Sequence, residues 1–199
     1  MVRRKVEVRR EEILAATLDE VVARGLANVR VGDVADALGI SRALVFYHFA
    51  TKEALLAAAL GYAVARDLER LDATLARDPD AVQRLRHVLL AYGPQGKAPG
   101  WTLWVDAWAA ALRDTGLRRT LRGLDRRWTT ALETVIRSGV DEGVFTCPDP
   151  GGSARRLAAL LDGLAVQVTV HRQLSRKEMS RWMADAAATE LGVDPGLLA

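Results

Sequence analysis

Residues 29–56, VRVGDVADALGISRALVFYHFATKEALL, constrain the fold more than any other stretch of this chain. Val31, Val34, Ala35 and Leu38 recur at i, i+3, i+4 and i+7, which places them on one apolar helical face. Gly39 ends that helix, because glycine accepts the left-handed conformation that closes a helix C-terminus. Ser41 is placed to cap the next helix through its hydroxyl, and Ala43, Val45 and Phe46 are expected to continue the buried surface, with Phe49 completing it. A third helix starts at once after Thr51. Two short helices joined by a tight turn are the pattern of the helix-turn-helix, whose second helix lies in the DNA major groove.

The stretch GISRALVFYHFATKEALL also resembles the signature of the TetR family of bacterial repressors: a glycine, a serine cap, an aromatic run ending in His-Phe, then Thr-Lys-Glu and leucines. Three positions depart from the family pattern. Phe46 stands where a Tyr is usual, Leu44 where a Thr or Ser is frequent, and Arg30 where a capping Thr is common. The resemblance implies an all-α chain with this motif at its N-terminus. It also implies phosphate contacts at Tyr47, His48 and Lys52.

At 199 residues the chain can bury a real core in one or two domains. Half of its residues are apolar and 27% are charged, a globular balance rather than a disordered one. No apolar run approaches the roughly 20 residues that span a bilayer, and no signal-peptide pattern opens the chain, so a cytoplasmic protein without a membrane partner is expected. The single cysteine, Cys147, excludes an internal disulfide and a cysteine-clustered zinc site. Net charge is only +3, but Arg3, Arg4, Lys5, Arg9 and Arg10 crowd the first ten residues against Glu7 alone. Such an arm is either a solvated terminus or a tracker of phosphates, and its place beside the motif favours the second.

Taken in order, residues 10–24 form an amphipathic helix with Ile13, Leu14, Thr17, Leu18, Val21 and Val22 inward, ended by Gly25. A long helix runs from Thr51 toward Arg77 and turns Leu55, Tyr62, Leu68, Leu71 and Leu75 inward. Asp78-Pro79-Asp80 breaks the chain, and a helix over about 80–92 follows. GPQGKAPG, residues 93–100, reads as a loop. It is not a phosphate-binding loop, because its glycines are too close, Ala98 stands where Ser or Thr is needed, and no strand precedes it. Residues 101–112, WTLWVDAWAAAL, set Trp101, Trp104, Val105, Trp108 and Leu112 on one stripe. The helix over about 116–142 carries Leu117, Leu121, Leu124, Trp128, Leu132 and Val135 on one side and many arginines on the other.

The helix at 153–172 is apolar on two faces, with Leu157, Leu160, Leu161, Leu164 and Val168 on one and Ala159, Val166 and Val170 on the other. Such a helix must be covered on both sides. One face meets its own core, and the other most simply meets a second copy. The last helix opens with the capping-box sequence Ser175-Arg176-Lys177-Glu178 and turns Met179, Trp182, Met183 and Ala186 inward. Together the two helices predict a four-helix homodimer interface using Ala159, Val166, Val170, Trp182 and Met183. From Trp101 onward, the Trp-x-x-Trp-x-x-x-Trp helix, the GVF-x-x-x-DP turn and LLDGLAVQV resemble the C-terminal domain of choline-sensing repressors of the betaine pathway and their relatives.

DNA recognition needs phosphate anchors for register and base-edge readers for sequence. Arg42, at the start of the second motif helix, is the candidate base reader, since a bidentate Arg–guanine contact discriminates by about 1–3 kcal/mol. Ala43 and Leu44 offer apolar contact to a thymine methyl, Ser41 is the cap, and Arg30 is a further phosphate candidate. For Trp101, Trp104, Trp108 and Trp128, with Tyr62, two readings stay open: hydrophobic core, or an aromatic-walled pocket for a small-molecule effector. Tryptophan is the best ring face for a cation, and an aromatic or acyl ligand fits as well. Tyr92 is a weaker candidate. Asp162, Gln167 and His171, polar groups in a buried helix, are expected to bond across the dimer rather than to a ligand.

No catalytic motif is present. Three histidines (His48, His87, His171) form no cluster of metal ligands, and Asp141–Glu142 reads as a solvated helix end. No enzyme, metal or cofactor is expected. The expectation is an all-α regulator with a DNA-binding domain at 1–56 and a ligand-binding and dimerisation domain at 57–199. It works as a homodimer that a small-molecule effector releases from a palindromic double-stranded DNA operator. The competing readings are an architectural DNA-binding dimer without a ligand, and a ligand-binding helical protein that keeps the motif only as a fold element.

Overall fold

The computed structural model describes the backbone of residues 2–78, 80–93 and 100–198, with the side chains of all of these except 2–9 and 100. The elements run α1 (Val2–Arg24), α2 (Val31–Leu38), α3 (Arg42–His48), α4 (Lys52–Leu75), α5 (Ala81–Tyr92), α6 (Gly100–Ala111), α7 (Thr115–Asp141), α8 (Pro150–Val166) and α9 (Arg176–Leu191). A π-helical turn, Gln167–His171, follows α8, and a short 3-10 turn, Pro195–Leu197, follows α9. No strand occurs among the described residues. The side chains of the basic arm at Arg3, Arg4, Lys5 and Arg9, and the loop 94–99, lie outside the described residues.

The chain divides into two compact units. The first comprises residues 1–66 and 102–124. Its core is built from Ile13, Leu14 and Val21 of α1, Val34 and Ala35 of α2, Val45 of α3, Phe49, and Leu55, Ala59 and Leu60 of α4, all buried. Thr17 is also buried, its hydroxyl donating to the Ile13 carbonyl at 2.7 Å, so the polar atom is satisfied within its own helix. Leu103, Ala107 and Ala111 of α6 and Leu117, Leu121 and Leu124 of α7 are buried in the same unit.

Three sequence expectations in this unit are corrected. Val22 is 50% exposed, because the inward stripe of α1 runs through Ile13, Thr17 and Val21 at i, i+4 and i+8 and leaves the next position turned away. Ala43 and Phe46 are exposed, Phe46 by 47%. A seven-residue helix buries only one narrow stripe, and Val45 with Phe49, at i and i+4, takes it. In α6 the buried positions are Trp101, Leu103, Ala107 and Ala111, so Trp104, Val105 and Trp108 are half-buried on its flank, and Leu112 lies past the helix end and is exposed.

The second unit comprises residues 67–101 and 125–199. Leu85 and Val88 of α5, Trp128, Leu132, Val135 and Ile136 of α7, Leu157, Leu161 and Leu164 of α8, and Met179, Met183, Ala187 and Leu191 of α9 are buried there. Asp80 caps α5, its carboxylate accepting from the Gln83 N–H, and Ser175 with Glu178 forms the capping box at the head of α9. α8 and α9 are further joined by charge. Arg156 makes a two-pronged contact with Glu190 (2.7 and 2.6 Å), and the Ser153 hydroxyl donates to the same carboxylate at 2.7 Å. These donors hold the Glu190 carboxyl down at about 2.

Two more corrections belong here. The helix expected over 153–172 stops as an α-helix at Val166, widens into the π turn, and ends where Arg172 takes a left-handed conformation at φ 53°. Leu160 and Trp182 are exposed rather than inward, because Leu157, Leu161 and Leu164 of α8 and Met179, Met183 and Ala187 of α9 already complete the core stripes at i, i+4 and i+7 or i+8.

Candidate functional site

The motif in the first unit is built from local chemistry. Gly39 sits at φ 61°, and its N–H and that of Ile40 reach back to Asp36 and Ala35 carbonyls at 3.2 and 3.0 Å, closing α2. The Ser41 hydroxyl oxygen accepts from the Leu44 N–H at 3.2 Å and starts α3. At the head of α2 the roles are inverted: Arg30 supplies no side-chain cap, and the Asp33 carboxylate accepts from the Arg30 N–H at 2.9 Å. The Thr51 hydroxyl accepts from Ala54 N–H and starts α4. Arg30, Ser41, Arg42, Ala43 and Tyr47 are exposed, Tyr47 by 76%, while Leu44, His48 and Lys52 are half-buried. The Tyr47 ring meets His48 edge-on at 5.3 Å, and Lys52 Nζ donates to the Ala27 carbonyl at 3.2 Å, tying the head of α4 to the loop before α2. Arg10 lies with its guanidinium 5.0 Å over the Phe49 ring.

One anchor of this unit has no local signal in the sequence. The Leu26 N–H, in the turn after α1, donates to Asp106 Oδ2 of α6 at 3.0 Å across 80 residues of chain. Leu26 itself is buried, so this donor has no water to fall back on.

The second unit holds an aromatic cluster that reaches one carboxylate through Tyr92. Tyr92 ends α5, Trp101 stands in the first turn of α6, Trp128 is midway along α7, and Asp162 lies on α8. Tyr92 lies edge-on to Trp128 at 5.4 Å and tilted to Trp101 at 6.3 Å. The Trp101 indole N–H donates to the Tyr92 carbonyl at 3.0 Å, and the Tyr92 hydroxyl donates to Asp162 Oδ1 at 3.0 Å. Burial pushes the Asp162 carboxyl up to about 6, the nearby Asp125 adds to this, and the Tyr92 hydrogen bond opposes it. Burial and the neighbouring Asp162 push the Tyr92 phenol upward too, so it remains a donor. Near neutral pH Asp162 is therefore largely an anion with one direct donor, the Tyr92 hydroxyl, whose ring meets both Trp101 and Trp128.

Of the five aromatic residues singled out from sequence, Trp101 and Trp128 enter this cluster. Trp104 and Trp108 pair with each other at 6.1 Å in the first unit, and Tyr62 stacks under Arg66 there and accepts a hydrogen bond from it at 3.2 Å. Tyr92 and Asp162 are the members that sequence reasoning undervalued. Within the chain Asp162 accepts from the Tyr92 hydroxyl.

Residues 13–59 match the model of the bacterial regulatory proteins of the tetR family, and residues 81–192 match that of the C-terminal domain of BetI-type transcriptional repressors. The chain belongs to the TetR family. It is similar to the HTH-type transcriptional regulator BetI of Burkholderia mallei, 32% identical over 169 residues that cover 79% of this chain and 80% of that one. The BetI of Stenotrophomonas maltophilia is 28% identical over 181 residues, 89% of each chain. Among solved structures, a putative transcriptional regulator from Saccharomonospora viridis in complex with choline superposes with a TM-score of 0.80. It is 30% identical and covers 93% of this chain and 98% of that one. A putative TetR-family regulator from Rhodococcus sp. superposes at 0.81 with 26% identity, covering 92% and 98%.

As a TetR-family, BetI-type transcriptional regulator, the protein joins a DNA-binding helix-turn-helix to a ligand-binding helical domain and is not an enzyme. Among its described residues no group of acids, histidines or cysteines is placed to hold a metal ion, and no single helix is long and apolar enough to cross a membrane. The residues predicted for self-association separate into two kinds. Ala159, Val170 and Trp182 are exposed, Trp182 by 49%, and Val166 is half-buried. Met183 is buried inside its own chain.

Proposed function

We propose that this TetR-family regulator is a homodimeric repressor that a quaternary ammonium compound, of which choline is the simplest test, releases from a palindromic operator. The observation that carries the reading is the cluster of Tyr92, Trp101 and Trp128, with the Asp162 carboxylate on the Tyr92 hydroxyl, within the BetI-type domain. Ring faces attract a desolvated trimethylammonium group by about 0.5–2 kcal/mol each, and the carboxylate supplies the counter-charge. The choline complex of the S. viridis relative supports the same chemistry.

In this reading residues 1–56 bind DNA and 57–199 bind effector and the second subunit. Arg42 reads base edges, with Ala43 and Leu44 against thymine methyls. Arg30, Ser41, Tyr47, His48 and Lys52 hold the phosphate backbone, Lys52 by turning from the Ala27 carbonyl. The exposed apolar residues Ala159, Leu160, Val170 and Trp182, with the half-buried Val166, are the face given to a second copy. The two-fold axis then spaces the recognition helices by about 34–36 Å or a multiple. Release requires only that the cation bind the DNA-incompetent arrangement more tightly than the competent one.

Fluorescence anisotropy tests this directly. The protein is titrated onto DNA flanking its own gene and onto random duplex at two salt concentrations, with Arg42→Ala alongside, and choline is then added to the complex. The reading expects sequence-dependent binding that Arg42→Ala abolishes and choline reverses. Equal, salt-labile binding to both duplexes would leave only the phosphate term and defeat it.

A further inference from the structure

Gly32 is the second residue of α2 and is buried. A β-carbon built on it would lie 2.7 Å from Arg42 Nη2 and 2.9 Å from both Cζ and Nε of the same side chain. The whole guanidinium is thus laid against the α-carbon of Gly32, in space that any other residue would fill. Three atoms of the planar head meet the same point, so the contact restrains the direction of the fork. No hydrogen bond from Arg42 to the Asp33 carboxylate in the first turn of α2 accompanies this contact, and that carboxylate accepts from the Arg30 N–H instead. The placement is described by the shape of the gap at Gly32.

The placement bears on recognition because Arg42 is the first residue of α3 and the only arginine or lysine of that helix. The remaining residues of α3 are Ala43, Leu44, Val45, Phe46, Tyr47 and His48. A bidentate contact to guanine O6 and N7 needs the guanidinium plane aligned with the base edge. A long side chain that is already confined loses less rotamer freedom on making that contact. We propose that Gly32, which carries no group able to touch a base, determines operator specificity by holding open the space that orients the Arg42 guanidinium. This rests on the reading of Arg42 as the base reader.

The test uses the full-length protein, a duplex selected by it from a random-sequence pool, and a scrambled duplex of equal length. Anisotropy gives the ratio of affinities for the two duplexes in wild type, Arg42→Ala, Gly32→Ala and the double variant. Alanine is a better helix former than glycine and meets only the movable end of a side chain, so Gly32→Ala is expected to fold with an undiminished Tm. Arg42→Ala is expected to cut the ratio by about tenfold or more. Gly32→Ala should cut it by a comparable factor, with binding to scrambled duplex and its salt slope unchanged. The double variant should be no worse than Arg42→Ala alone, since both changes remove one contact. A selection repeated with Gly32→Ala should show relaxed preference at a single base position of each half-site.

A wild-type ratio in Gly32→Ala beside a reduced ratio in Arg42→Ala overturns the inference and leaves the role of Arg42 standing. Additive losses in the double variant overturn it as well. An unchanged ratio in Arg42→Ala overturns both the inference and the reading beneath it.

Discussion

Asp162 offers the sharpest test of the proposed effector site, where its charge state and the ligand would be linked. Its carboxyl titrates at about 6 in the ligand-free protein, held up chiefly by burial. A carboxyl raised on folding binds more protons in the native state than in the unfolded chain between the usual carboxylate range and about 6. Its ionisation therefore costs stability as pH rises through about 6, and the cost is absent below the usual range. A bound cation acts in the opposite sense, because it favours the ionised form. Choline affinity should accordingly rise as pH increases through about 6 and level off above it. With that value, the site is almost fully ionised at about pH 7.5 and roughly one-tenth ionised at about pH 5, so the apparent affinity falls by about tenfold across the interval. Asp162→Asn keeps the side-chain volume and an oxygen to accept the Tyr92 hydroxyl, while removing the charge. It should bind choline at least about tenfold more weakly at pH near 7.5, retaining the ring-face attraction alone, and its affinity should no longer change across the same interval. Isothermal titration calorimetry at several pH values reads both effects. A flat profile in the wild type, or an Asp162→Asn variant that binds as tightly and with the same pH dependence, would refute the electrostatic argument.

Four further outcomes follow from the packing. A β-carbon on Gly139, in the last turns of α7, would overlap the Phe145 ring, so Gly139→Ala should lower stability in urea by about 1–3 kcal/mol. Gly123 in the same helix has no atom within 4 Å of such a carbon, and Gly123→Ala should raise stability by about 0.5–1 kcal/mol. Asp106→Ala leaves the buried Leu26 N–H without its acceptor and should cost about 1–3 kcal/mol by chemical denaturation, with DNA affinity falling because the turn feeding the motif loosens. Trp182→Asp replaces the exposed indole of α9 with a charge, and sedimentation should show monomer where wild type shows dimer; an unaltered dimer would place the interface elsewhere.

What the sequence made legible is what is local in chain distance. Gly39, Ser41 and the Ser175–Glu178 capping box act within four residues of themselves, and each does in the structure what its chemistry predicts. The leucine stripe of α7 is equally plain, since six apolar positions over about five turns leave only one rotation of the helix that buries them. Short helices defeat the same reasoning. Within the seven residues of α3, Ala43, Val45 and Phe46 together with Phe49 allow more than one stripe. Only the neighbours decide that Val45 and Phe49 take it while Phe46 faces outward.

The pairing of Tyr92 with Asp162 shows the other limit. Tyr92 and Asp162 are 70 residues apart, and each alone is an ordinary residue: a tyrosine near a helix end, and an acid in an apolar helix. Their meaning arises from packing that brings a phenol donor to a carboxylate beside two indoles, and no periodicity encodes that. Asp162 still carried a usable warning, because an unpaired acid in the middle of LLDGLAVQV is too costly to bury without a partner. Within the chain that partner is the Tyr92 hydroxyl, at 3.0 Å. A polar residue inside an apolar helix is thus better treated first as a site within the protomer, and as an interface residue only when no donor of its own chain reaches it.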